Sequence, residues 1–336
     1  MPAILEADSL VKTYGNHVAV AGISFSVEEG EVFGLLGPNG AGKTTTISML
    51  TGVLEPTSGT ARIGGHDIVA EPAEVKKING LVPQDLALYP TLSARANLQF
   101  FGRIYGLRGR ELRERVDDVL EIVALADRAD EAIERYSGGM KRRVNIAAGL
   151  VHQPRLLFLD EPTVGVDPQS RNHIFESVQR LNRERQMTIV YTSHYMEEVE
   201  LLCNRVAIVD QGRIIALDTI RNLVGMLGGG VIQLGLERLD DEMLAEIRAL
   251  PAVSGAARVL AEGPPPASRG EAEAHPPQAA HPGPVLLKIE TRRSQDALVQ
   301  VVGYLNTLDV AFTSVEIFEP NLESVFLHLT GKKLRE

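Results

Sequence analysis

The chain has 336 residues, 44% hydrophobic and 23% charged, a formal net charge of −10 and a single cysteine, Cys203. That length suits about two domains with cores of their own, and the acidic surplus argues against nucleic acid as the main partner, since neutralising phosphates takes excess Lys and Arg. One cysteine excludes an internal disulfide or a cysteine metal cluster, no apolar run nears the roughly 18 residues that span a bilayer, and Met1 to Glu6 does not resemble a signal peptide.

Residues 3–31 alternate polar and apolar side chains, with Gly15, Gly22 and Gly30 as punctuation. Three short antiparallel strands are expected there, at 4–7, 17–20 and 23–27. Tyr14 falls in a Lys-Thr-Tyr-Gly turn, where it is either a rim tyrosine or a platform for a purine.

Val32 to Leu36 reads as a buried strand, and Thr45 to Leu50 as a helix. Between them Gly37-Pro38-Asn39-Gly40-Ala41-Gly42-Lys43-Thr44 fits G-x-x-x-x-G-K-[ST]. The glycines permit backbone conformations and close approaches that a Cβ would block, so successive N–H groups can face an anion. The helix N-terminus adds positive potential there. Lys43 is expected at the β- and γ-phosphates, and the Thr44 hydroxyl at Mg²⁺.

A turn and strand are expected over 52–65, then a buried central strand at 78–83 that delivers Gln84, a residue able to ligate a metal or order a water. A long helical stretch follows from about Ser93 to Ala126, with apolar residues at 112, 116, 119, 120 and 123. Ser137-Gly138-Gly139 then opens a helix over 141–151, with Ser137 as its N-cap and amides free to meet an anion.

Leu156 to Leu159 is continuously apolar, a strand buried on both faces of a parallel sheet, and it ends in Asp160-Glu161. Adjacent carboxylates at such a strand end are costly unless a cation or reacting group shares the space, and that end is where ligands bind in open α/β sheets. Thr188 to Thr192 closes on Ser193 and His194, on the same edge if the sheet is parallel. Val206 to Asp210 and Arg213 to Ala216 flank Gln211-Gly212 as a hairpin.

Beyond Gly228-Gly229-Gly230 the pattern changes. Strands at 231–236, 254–261, 285–291 and 311–318 and helices at 240–249, 294–308 and 321–330 follow the β-α-β-β-α-β order of a small ferredoxin-like domain. A proline-rich stretch over 263–284 has no apolar periodicity and is expected to be a disordered insertion. The domains expected are thus 1–225, with a helical part at about 85–150, and 231–331.

Taken together, residues 3–222 resemble the ATP-binding subunit of ABC transporters. Gly37 to Thr44 resembles the Walker A loop, Gln84 the Q-loop glutamine, and Ser137-Gly138-Gly139 the signature motif. Leu156 to Asp160 resembles Walker B, Glu161 the catalytic glutamate, Gly165-Val166-Asp167 the D-loop, and His194 the switch histidine. Tyr14 falls at the adenine-stacking position. Tyr136 and Met140 stand where the signature usually has Leu and Gln, a departure similar to the drug-resistance and type-2 exporter branch, whose C-terminal ending 321–331 also resembles.

The resemblance implies a P-loop α/β ATPase fold, with an antiparallel β subdomain and a helical one. ATP would lie on Tyr14, residues 37–45 (Gly37 through Thr45) and, from a second copy, Ser137 to Gly139. Mg²⁺ would be held by Thr44, Gln84 and Asp160, while Glu161 polarises water and His194 contacts the γ-phosphate. It further implies a homodimer on the inner face of the cell membrane, powering a permease met through residues 85–105. Beside an exporter ATPase stand two alternatives: a soluble ABC-type ATPase outside transport, and a module that binds ATP without hydrolysing it.

Overall fold

The computed structural model describes residues 2–259, 285–291 and 293–330. The proline-rich stretch expected at 263–284 lies outside them. The described residues divide into two units, 2–223 with 329–330, and those between 224 and 328.

The first unit opens with β1 (Ala3–Tyr14) and β2 (His17–Glu28), two twelve-residue strands paired antiparallel across a turn at Gly15. Three short strands were expected instead. Gly22, which suggested a break between the second and third, falls at a register shift within one long pair, where a bulge absorbs the extra residue without ending the ladder. β3 (Val32–Leu36) follows, buried at every position, and then α1 (Lys43–Leu50). β4 (Ser58–Ile63) and β5 (His66–Asp67) complete the antiparallel sheet in the order β2-β1-β4-β5.

After α2 (Pro72–Ile78), β6 (Asn79–Val82) leads to the helical part. The helix expected over 93–126 is broken into α3 (Ala94–Ile104) and α4 (Gly109–Ile122). Gly106 and Gly109, both at positive φ, let the chain turn back, so Gly102 packs against Leu112. The five apolar positions from 112 to 123 are all buried, as their spacing requires. α5 (Gly138–Leu150) starts at the signature glycines, three residues earlier than expected, because Ser137 Oγ accepts the Met140 amide at 3.2 Å.

β7 (Leu156–Asp160), α6 (Pro168–Arg185), β8 (Thr188–Ser193), α7 (Met196–Leu202), β9 (Arg205–Asp210), β10 (Arg213–Thr219) and α8 (Ile220–Gly225) complete the run. Among the described residues the central sheet has six strands in the order β10-β9-β3-β8-β7-β6. All its pairs are parallel except β9 with β10, whose turn carries Gln211 and Gly212 at positive φ. β6 is therefore an edge strand, not the central one expected. Helices cover its faces, so its residues are buried or nearly so, and burial alone does not tell an edge from a centre.

The second unit contains β11 (Val231–Leu236), α9 (Asp241–Ala249), β12 (Val253–Val259), β13 (Val285–Thr291), α10 (Ser294–Thr307), β14 (Phe312–Phe318) and all but the last two residues of α11 (Leu322–Thr330). Its sheet is antiparallel in the order β12-β13-β11-β14, the ferredoxin-like arrangement. Ile232, Leu234, Leu287 and Ile289 form its core with Ala297, Val301 and Leu305 of α10.

Candidate functional site

The parallel strands β3, β7 and β8 bring their C-terminal ends to one edge of the sheet, and each ends in a polar segment. β3 runs into the glycine loop. Gly37 has no room for a side chain, since a Cβ there would lie 2.2 Å from the Val209 carbonyl oxygen. Gly42, at φ 103°, caps α1 and would meet the Ala19 carbonyl oxygen at 2.6 Å. The loop is thus held against β2 and β9 by close backbone approach, and α1 aims its N-terminus into the space above.

That space is a cavity of about 500 Å³ lined by Tyr14, residues 39–45, Gln84, Glu161, Val164 and His194, with His17 and Ala19 from the start of β2. Tyr14 is half exposed at its rim, 5.6 Å from the Lys12 ammonium to the ring centroid. The lining thus joins an aromatic ring to polar and charged groups. Gly37 and Pro38 do not line the cavity; their carbonyls accept from Lys43.

The charged groups meet at Glu161. Lys43, 4% exposed, donates to the Gly37 and Pro38 carbonyls at 2.7 and 3.1 Å and pairs with Glu161 Oε1 at 3.0 Å. Gln84 Nε2 donates to Glu161 Oε2 at 3.4 Å, and His194 Nδ1 stands 3.3 Å from the same oxygen, within ion-pair range but not aligned as a hydrogen bond. Glu161 takes a left-handed φ of 45°, uncommon for a residue with a side chain and costly unless its surroundings impose it. Thr192 Oγ1 accepts its amide at 2.9 Å and donates to Asp160 Oδ1 at 2.8 Å.

Asp160 is 3% exposed, and its Oδ1 also accepts from the Thr44 hydroxyl at 3.3 Å. Burial raises its pKa above the usual carboxylate value, against the lowering effect of the Thr192 and Thr44 hydroxyls. Thr44, Asp160 and Gln84 together offer hydroxyl, carboxylate and amide oxygens, the hard donors that suit Mg²⁺.

Sequence reasoning missed three contributors. Thr192 was placed on its strand without a role. Arg142 of α5, 4% exposed, donates to the carbonyls of Pro83 at 2.9 Å and Glu161 at 3.2 Å, tying the Gln84 strand end to the Glu161 turn. Burial lowers its pKa, although nearby Asp160 opposes this. It stands in Lys141-Arg142-Arg143, a run that reads as a solvated helix face. Glu198 of α7 is the third.

Ser137 to Gly139, expected at the site only from a second copy, and Asp167 do not line this cavity. Ser137 and Gly138 are exposed. Asp167 caps α6, its Oδ1 accepting the Ser170 amide at 2.9 Å. The amide and hydroxyl of Ser170 hold its carboxyl below the usual range. Tyr136 and Met140, the two departures in the signature, are both buried. Met140 Sδ lies 3.4 Å from an Arg128 guanidinium nitrogen.

A parallel sheet edge, a glycine loop opening a helix, and a buried Lys-Asp-Glu set define a P-loop ATPase. The ABC transporter family model matches residues 20–164. The chain is 45% identical to the linearmycin resistance ATP-binding protein LnrL of Bacillus subtilis (strain 168), over 99% of this chain and 100% of that one. Identity is 37% to the daunorubicin resistance ATP-binding protein DrrA2 of Streptomyces coeruleorubidus, over 98% of this chain and 95% of the relative. It is also 37% to the Nod factor export ATP-binding protein I of Cupriavidus metallidurans (strain CH34), over 100% of both.

Among solved structures, cbiO1 from Clostridium perfringens, part of an ABC transporter complex, matches with a TM-score of 0.62 at 27% identity, covering 75% of this chain and 96% of that one. A dimeric ATP-binding cassette bound to ADP and Pi matches with a TM-score of 0.59 at 25% identity, covering 64% and 98%. The chain belongs to the ABC transporter family. It is an ATP-binding subunit of that family and an ATPase.

Proposed function

We propose that this chain hydrolyses ATP at a site shared by two copies and so drives a separate membrane permease that exports its cargo. The observation that carries the catalytic part is the meeting of Lys43, Gln84 and His194 on the buried Glu161 carboxylate, at the wall of the loop cavity. The loop amides and Lys43 bind the phosphates, and Tyr14 stacks on the adenine. Glu161 accepts a proton from the attacking water, and His194 holds the γ-phosphate oxygen side. Thr44, Asp160 and Gln84 would hold Mg²⁺, which when bound neutralises charge on the phosphate oxygens.

Phosphoryl transfer needs positioned charge more than covalent chemistry, and this site supplies position. Glu161→Gln keeps the shape and removes the base. Phosphate release should fall by about 10² or more while nucleotide still binds. Near-normal turnover would exclude Glu161 as the base and would leave open a different water-activating group.

Support for the dimer comes from the exposed Ser137 and Gly138, whose capped helix N-terminus does not line the loop cavity, and from the dimeric cassettes that the chain resembles. Support for the permease comes from its relatives, which are named as resistance and export ATP-binding proteins. Among the described residues no helix is long and apolar enough to cross a membrane. Leu86, Tyr89, Leu92, Phe100, Ile104 and Tyr105, all exposed, present an apolar surface just after Gln84, in the segment assigned to that contact. The full chain should co-purify from solubilised membranes with a protein of about six apolar spans. Recovery with ribosomes or DNA instead would favour an ATPase outside transport.

A further inference from the structure

Behind the cavity a second buried carboxylate gathers hydroxyl groups. Glu198 of α7 is 3% exposed, and its Oε2 accepts from Tyr191 Oη at 2.9 Å, Ser193 Oγ at 3.0 Å and Thr163 Oγ1 at 2.9 Å. Its Oε1 faces Arg171 Nε of α6 at 3.6 Å. The Arg171 guanidinium also lies over the Tyr195 ring at 5.2 Å, and that ring leans on His194 with centroids 4.1 Å apart.

The hydroxyls come from two segments that must be kept in register. Thr163 stands two residues after Glu161, in the turn that leads to Asp167. Ser193 stands one residue before His194, and its Oγ also accepts the Tyr195 amide at 2.9 Å. One carboxylate thus bridges the turn that presents Glu161 and the strand end that presents His194. The left-handed φ of Glu161 needs such a restraint to persist, and the 3.3 Å approach of His194 to Glu161 depends on both segments.

We propose that Glu198 is a positioning residue for ATP hydrolysis. Through Thr163 and Ser193 it fixes the spacing of Glu161 and His194, and through Arg171 it links that spacing to the start of α6. The proposal rests on the reading of Glu161 and His194 given above. A general packing role would lower stability and nucleotide affinity together. A positioning role lowers turnover of bound nucleotide, because small displacements at a reacting centre cost rate more than affinity.

The test is a double-mutant cycle on the full chain with its membrane partner, read as kcat and KM for ATP. Thr163→Val keeps shape and removes one hydroxyl, so it can be read even if Glu198→Ala folds poorly. Each single variant should lower kcat by about tenfold at unchanged KM. The double variant should fall little further than Glu198→Ala alone, because the two act as one unit. Glu198→Gln should recover part of the loss, since its amide oxygen still accepts hydroxyls. A Thr163→Val enzyme with normal kcat, losses that multiply, or KM rising in step with the loss would each overturn the proposal. If Glu161→Gln turned over normally, the reading of the site would fail instead.

Discussion

Asp160 and Glu161 are neighbours in sequence but do different electrostatic work. Glu161 is balanced by Lys43 at 3.0 Å, whereas Asp160 relies on two hydroxyls and is penalised by burial. With its folded pKa raised above the unfolded value, the Asp160 carboxyl favours the folded state most at low pH, when protonated. It loses that advantage as pH rises through the folded pKa. Asp160→Asn should therefore raise the melting temperature of the nucleotide-free protein at neutral pH, with the gain disappearing in acid. The same variant should lose about 10² or more of its ATPase rate, since a positioned charge at the phosphates is gone. Melting curves at two pH values and a phosphate-release assay read both; a neutral-pH destabilisation would contradict the electrostatic assignment. The carboxylate pair and Lys43 were legible because loop and strand-end patterns are local. Thr192, Arg142 and Glu198 were not, because each ties to the Glu161 turn or to Pro83 through a partner 19 to 59 residues away and looks in sequence like ordinary strand or helix surface.

Elements were legible where one physical signal dominated. Continuous apolar runs marked β3 and β7, and helical spacing marked the buried face of α4. Errors arose where sequence position alone cannot decide: bulges inside β1 and β2, the break between α3 and α4, and the edge location of β6. The start of α5 shows how closely packing constrains a motif. A Cβ on Gly139 would lie 2.0 Å from Ser170 Oγ and 2.2 Å from its Cβ, whereas the nearest atom to one on Gly138 is the Gly165 carbonyl oxygen, at 4.0 Å. Gly139 thus lets α5 and α6 approach. Gly139→Ala should destabilise the protein by about 1–3 kcal/mol, as overpacking does. Gly138→Ala should stay within about 0.5 kcal/mol of the parent. Denaturant midpoints for the two variants check this, and equal midpoints would refute it.

At the scale of the whole molecule, the order and spacing of the motifs carried the family, since each alone is weak and only one architecture unites them. That order cannot show which groups meet within one chain. The structure separates them: Tyr14, the loop, Gln84, Glu161 and His194 share a cavity, while Ser137 and Gly138 face solvent on the N-terminus of α5. Two half-sites on one chain make sense if a second copy closes them. ATP held by Glu161→Gln should then keep two copies together, because hydrolysis no longer releases them. The most direct measurement is the solution mass of purified Glu161→Gln with ATP and with ADP, beside the same chain carrying Ser137→Arg. A doubled mass with ATP alone, lost on Ser137→Arg while nucleotide still binds, is the predicted result. A mass that stays single with ATP bound, or a dimer indifferent to Ser137→Arg, would contradict the shared site.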